Sequence, residues 1–153
     1  MVTLAKSLPN NAFENLESIP GFAQTTAVRV LAELGDIRRF SNPNKINAFI
    51  GIDPGRYQSG EMDARLSITK HGNAIARKLL YRAIGQIDLA SKTKPCHIAD
   101  YYESKKRPLK TKGFKKIAIA SIHKLIRTIY ALIINDQKYD YNVAIHNQKR
   151  LLS

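Results

Sequence analysis

A serine set between glutamine and glycine, in a Gly/Pro-rich loop of a strongly basic chain, is a candidate nucleophile on a DNA phosphate, although spacing alone favours a plain turn serine. It is Ser59, within the segment GIDPGRYQSGEMDARLSITKHGN that runs from Gly51 to Asn73. Gly60 allows backbone conformations that expose the neighbouring hydroxyl. Arg56, Arg65 and Lys70 are close in sequence. A serine that attacks a phosphodiester needs cations or a metal to stabilise the developing charge, and a route for its own proton. No base is evident from the spacing. Asp53, Glu61 and Asp63 read as loop acids, and His71 reads as a turn residue before Gly72-Asn73. The residues alone leave two readings open: a nucleophile, or a serine in a turn.

The charge of the chain favours a polyanionic partner. Its 153 residues carry 25 Lys/Arg against 12 Asp/Glu, a net charge of +13. Residues 1–43 are balanced, with Lys6, Arg29, Arg38 and Arg39 against Glu14, Glu17, Glu33 and Asp36. The whole excess therefore lies after Pro43, and residues 92–116 hold nine Lys/Arg and two acids. A charge run is commonly just a solvated face, but one this large and one-sided points to nucleic acid. Lys105, Lys106, Arg107 and Lys112 are the candidate contacts there. The single cysteine, Cys96, excludes an intrachain disulfide framework and fits a reducing cytoplasm. Four scattered histidines and one cysteine suggest no metal site. No apolar run is expected to approach the length needed to span a membrane, and the N-terminus lacks the apolar centre of a signal peptide.

Helices must position these groups. Residues 1–11 read as a loose lead-in ending at Pro9-Asn10-Asn11, and a short helix with Phe13, Leu16 and Glu17 is expected to follow. Pro20-Gly21 marks a turn, and the spacing of Ala27, Val28, Leu31 and Leu34 predicts a helix over 24–34 with Gly35 as its C-cap. Asn42-Pro43 predicts a helix start that runs to Gly51. A long loop over 51–63 precedes a weakly alternating stretch, 64–69, that reads as a short strand or an extended arm. A helix over 74–90 is predicted, buried through Ile75, Ala76, Leu79, Leu80, Ala83 and Ile87, with Lys78, Arg82 and Gln86 opposite. Pro95 starts a short helix to about residue 106. The longest helix spans 114–134, with Ile117, Ser121, Leu125, Ile129 and Ile133 on one face and Lys116, His123, Lys124 and Arg127 mostly on the other. Residues 135–153 read as a polar tail with some helical potential. The predicted fold is mainly α, a helical bundle-like domain with little or no sheet.

The segment LESIPGFAQTTAVRVLAELG resembles a helix–hairpin–helix, a module that grips a nucleic-acid backbone without reading bases. Backbone N–H groups at the turn and helix start can hold a phosphate, which makes Gly21 and Thr25 candidate contacts. Ala23 stands where that pattern has a second glycine. An ordinary helical hairpin is the equal alternative, and the neutral local charge favours it slightly.

Taken in order, these motifs resemble the C-terminal domain of the IS110/IS116/IS902 family of bacterial insertion-sequence transposases. The resemblance covers roughly residues 14–141. It runs through Ile19-Pro20-Gly21, Phe40, Ala48 to Pro54, Gln58-Ser59-Gly60, Ile68 to Asn73, Arg77, Leu80, Lys124-Leu125 and Tyr130. It departs at Ala23 and at Leu66-Ser67. It divides the chain into a lead-in (1–13), a hairpin module (14–51), a catalytic-serine domain (52–134) and a tail (135–153). It implies a DNA recombinase in which Ser59 attacks a phosphodiester and holds a covalent DNA link. An acidic RuvC-like domain, for which residues 1–13 offer no room, would supply Mg²⁺. Arg56, Arg65, Lys70 and Arg77 would position phosphates. DNA, a structured RNA encoded by the element, and further copies of the chain are the implied partners. Two other functions stay open: a non-catalytic nucleic-acid-binding module and an oligomerisation domain.

Overall fold

A computed structural model describes residues 11–56, 65–68, 72–108 and 113–150. Helices account for most of them: α1 (Ala12–Glu17), α2 (Gln24–Leu34), α3 (Pro43–Ile50), α4 (Ala74–Ala90), α5 (His97–Lys106), α6 (Phe114–Ile134) and α7 (Tyr141–Arg150). A short 3-10 turn spans Ile37–Arg39. Two short strands, β1 (Pro54–Arg56) and β2 (Arg65–Ile68), pair antiparallel. The domain is mainly α, as the sequence patterning implies.

Local chemistry explains the element ends. The Asn42 side chain accepts from the Lys45 N–H at 3.2 Å, with Pro43 at the first helical position. Gly51 ends α3 in the left-handed conformation, where it returns its N–H to the Ala48 carbonyl. Asn73 caps α4 by accepting from the Ala76 N–H at 2.9 Å.

Helix α6 is the centre of the bundle. It packs on α1, α3, α4, α5 and the 3-10 turn. Its inner face, including Ile122, Leu125, Ile126 and Ile129, is fully buried. This helix corrects one sequence expectation. Its 21 residues, with a mean hydropathy of 1.7, are long and apolar enough to cross a membrane by length and composition. Here that apolar surface faces four other helices, so core packing accounts for it.

The core is one continuous cluster that joins the hairpin to the helices after it. Phe13, Leu16, Ile19 and Leu34 share it with Leu80, Ile87, Ile98 and Ile133. On α4 the buried stripe is Ala76, Leu80, Ala83, Ile84 and Ile87. Ile75, expected inside, is 65% exposed. It sits one residue, or about 100° of helix rotation, before Ala76, and that carries it off the stripe.

The segment after α6 is docked, in contrast to a free polar tail. Asp136 accepts from the Asn11 and Asn15 side chains, and the Tyr139 N–H donates to Ser18 Oγ at 2.7 Å. Helix α7 follows and packs on α5, with Tyr141 donating to Asp100 at 2.8 Å. None of the α7 residues is buried.

Candidate nucleic-acid interface

The two strands form the stem from which the Ser59 segment departs. Pro54 pairs with Ile68, and Arg56 pairs with Arg65. Three residues on β1 therefore match four on β2, a bulge of the kind that bends a ribbon and strengthens its twist. Residues 57–64 connect the strands, so Ser59 lies outside the described residues, as do Lys70 and Lys112. Arg56 and Arg65 are register partners at the last described pair before that connection.

Both ends of the stem are tied to the helical body at one point, the C-terminus of α3. The Asn73 N–H donates to the Phe49 carbonyl at 2.9 Å. The Arg77 guanidinium donates to the Ile50 carbonyl at 2.9 Å. A cation on these last helical carbonyls also opposes the helix dipole. Asn73 adds a bond from its side-chain amide to Glu33 Oε2 at 2.9 Å, which reaches α2. Arg77 thus clamps the stem, a role that its charge alone did not suggest.

His123 of α6 lies beside the same stem. Burial pushes its imidazole pKa down, and Arg127 acts in the same direction. The Asp53 carboxylate and a backbone hydrogen bond at Ile52 oppose that shift. His123 thus reaches the backbone at Ile52, next to the root of the ribbon, within the electrostatic influence of Asp53 and Arg127. Sequence spacing missed this grouping because 70 residues separate Asp53 from His123. Among the described residues no three His, Cys, Asp or Glu side chains converge to hold a metal ion.

The hairpin presents Thr25 and hides much of Gly21. Thr25 is exposed in the first turn of α2, whose N-cap, Ala23, makes no side-chain capping bond. Gly21 has φ +87° and packs against the backbone of α4 at Gln86 and Ile87. The close approach that this glycine permits is thus made to a helix. Thr26 Oγ1 reinforces it by donating to Gln86 Oε1 at 3.1 Å.

The predicted basic run splits by partner. Lys106 is tied to Glu103 at 3.1 Å and to Asp88 at 3.6 Å, so its charge is locally matched. Lys105 and Arg107 are exposed and, among the described residues, form no ion pair. Lys105 and Lys124 both approach the ring of Tyr101, at 5.9 and 4.7 Å from its centroid. Cations gathered on an aromatic ring at the surface offer charge and a stacking face together.

His97 is a buried histidine held by hydrogen bonds. Its Nδ1 lies 2.8 Å from the Tyr139 hydroxyl, its Nε2 lies 3.3 Å from Thr128 Oγ1, and the Tyr139 ring stacks on it. Burial lowers its pKa to about 4, aided by Lys124 and opposed by Asp100. Its folded pKa is below the unfolded value, so acid favours the unfolded chain, which takes up the proton more readily. Stability should hold above about pH 6.5 and fall by about 2 kcal/mol between pH 6.5 and 5. His123 contributes with the same sign. Urea melts at the two pH values should show this loss in the parent and a smaller one in His97→Gln. An equal loss in both would remove His97 as the cause.

Comparison with known proteins places this architecture. Residues 13–103, more than half of the chain, match the model of the transposase IS116/IS110/IS902 family. The chain is 29% identical over 134 residues to the transposase for insertion sequence element IS1111A of Coxiella burnetii, covering 85% of this chain and 35% of that protein. It is 37% identical over 65 residues to y4qE of Sinorhizobium fredii, a protein named as a transposase, covering 42% of this chain and 17% of that protein. The chain thus spans about a third or less of these relatives' lengths. With the family match extending from the hairpin through the ribbon stem to α5, the chain belongs to the IS116/IS110/IS902 transposase family.

Proposed function

We propose that this chain is the DNA-binding C-terminal part of an insertion-sequence transposase, and that Ser59 is its nucleophile for strand cleavage and rejoining. The observation that carries the reading is the clamped ribbon: a family transposase segment with Ser59 between two strands whose stem is fastened to α3 and α4. In the reaction, Ser59 Oγ bonds to the phosphorus, the bond from phosphorus to one sugar oxygen breaks, and that oxygen leaves as a hydroxyl. The link conserves the phosphodiester bond energy, so a second sugar hydroxyl can displace the serine and restore its Oγ–H. Arg56 and Arg65 are register partners on the two strands that flank the serine in sequence, and their charge suits them to hold the phosphate oxygens. Lys70, Lys112, Lys105 and Arg107 are further candidates for the nucleic-acid backbone by their charge.

An acidic RuvC-like domain would hold Mg²⁺, which stabilises charge on the transferring phosphoryl group. The described residues of this chain offer no such site. A composite site formed with that domain, an RNA that pairs with the DNA, and assembly of several copies are parts of the same proposal, as is action in the cytoplasm.

One experiment tests it in two arms. The chain is titrated with duplex DNA and structured RNA across a salt series, beside a Lys105→Ala/Lys106→Ala/Arg107→Ala variant. Binding should weaken steeply with salt. On DNA the variant should show a slope shallower by about 0.9 for each phosphate that a removed side chain had neutralised. Lys106 should contribute least, because Asp88 and Glu103 already hold it. With the acidic domain and RNA supplied, a nicked suicide DNA should become covalently attached, and Ser59→Ala should abolish the adduct. Salt-steep binding with an adduct that survives Ser59→Ala would refute the nucleophile and leave a binding module.

A further inference from the structure

A cleft of about 590 Å³ lies between α6 and the segment that carries the chain into α7. It is far smaller than a duplex requires and of the order of a single nucleotide. Lys124 and Arg127 of α6 and Lys138 on the opposite side line it, with Asp140 as the one carboxylate. Asp140 is engaged elsewhere, accepting from the Val143 N–H at 3.0 Å at the start of α7. Among the described residues none of the three cations forms an ion pair.

Two of these cations crowd each other. Burial lowers the Lys124 pKa first, and the Arg127 charge lowers it further. Like charges packed together, three cations against one carboxylate, are relieved by an anion bound between them. The remaining walls are of another kind. Ala131 and Val143 give an apolar surface, Asn147 gives an amide, and the Tyr139 ring, stacked on His97, lines the cleft with them. Cations, apolar side chains with an aromatic ring, and an amide in one cleft match the parts of a nucleotide: phosphate, base face and base edge.

We infer that the cleft between α6 and α7 takes one unpaired nucleotide of a single-stranded nucleic acid, with its phosphate on Lys124, Arg127 and Lys138 and its base against Ala131, Val143 and Tyr139. The inference rests on the nucleic-acid-binding reading above and adds a site to it. The residues assigned to it here all follow residue 103, where the family match ends.

A charge-neutral plug separates this site from general electrostatic attraction. Ala131 is exposed on α6 and lines the cleft, so Ala131→Phe fills it without altering charge or core. Fluorescence anisotropy with the full chain would use short homopolymers of single-stranded DNA and RNA, beside a duplex of equal length. Ala131→Phe should weaken single-strand binding about tenfold, the worth of one stacked base. Duplex affinity should stay the same. Lys124→Gln/Arg127→Gln should lower the single-strand salt slope by about 0.7 per charge removed. This surface pair serves as the test if the plug disturbs folding, which melting would report. Unchanged single-strand affinity in the plugged chain would overturn the site, and so would equal losses on single strands and duplex. In either case the parent's binding would leave the broader function standing. A parent chain that binds no nucleic acid at low salt would remove both.

Discussion

Gly72→Ala is expected to destabilise the chain by about 4 kcal/mol and to detach the serine-bearing ribbon from the helical body. Gly72 has φ +109°, a conformation that side chains rarely adopt. A Cβ there would stand 2.2 Å from the Phe49 carbonyl oxygen and 3.2 Å from the Gly51 nitrogen. Neither is the end of a flexible side chain. Both belong to the α3 terminus that also receives the Asn73 N–H and the Arg77 guanidinium. Backbone strain costs about 1–3 kcal/mol, and forcing two backbones apart costs a similar amount. The sum should lower the melting midpoint by roughly 10 °C in a chain of this size. Asn73→Ala, which loses a helix cap and the Glu33 bond but keeps the close approach, should cost only about 1 kcal/mol. A Gly72→Ala chain that melts with the parent would show that the stem does not depend on this contact. If it melts lower but still forms the adduct proposed for Ser59, the clamp supports the fold alone.

How much of this was legible in the sequence depended on whether the signal was local. The helices were readable because caps and spacing act within a few residues. Asn42-Pro43 and Asn73 start helices as their chemistry demands, and Gly51 ends one. Ile75 misled because a run of apolar residues does not say where the buried stripe has its edge. The docking of Asp136 and Tyr139 onto α1 escaped because its partners, Asn11, Asn15 and Ser18, lie over a hundred residues away. The candidate site divides in the same way. The Ser59 segment is a continuous motif, so sequence could nominate it. The clamp by Arg77, the approach of His123 to Ile52, and the matching of Lys106 by Asp88 are products of packing. Residue type could not distinguish a lysine facing solvent from one already paired.

Gly21→Ala is the second large loss expected, about 3 kcal/mol, and it separates the hairpin's structural task from any grip on phosphate. At φ +87°, an added Cβ would lie 2.7 Å from Gln86 C, Gln86 O and Ile87 Cα. All three are backbone atoms of α4, so relief requires the hairpin to lift away from that helix. Lifting it would also loosen the Thr26–Gln86 bond and expose part of the core that Ile19 and Phe22 share with α4. The midpoint of thermal melting should therefore fall by roughly 6–12 °C. Thr25→Ala is the control, because Thr25 is exposed in the uncapped first turn of α2. It should leave the melt unchanged, and it should weaken nucleic-acid binding only if that helix start holds a phosphate. If Gly21→Ala reduced binding while its melt matched the parent, the contact with α4 would not be what requires glycine. The turn itself would then be the binding element. If Gly21→Ala melts low and Thr25→Ala binds normally, the hairpin is a packing element, and the basic surface of α5 and α6 must carry the affinity.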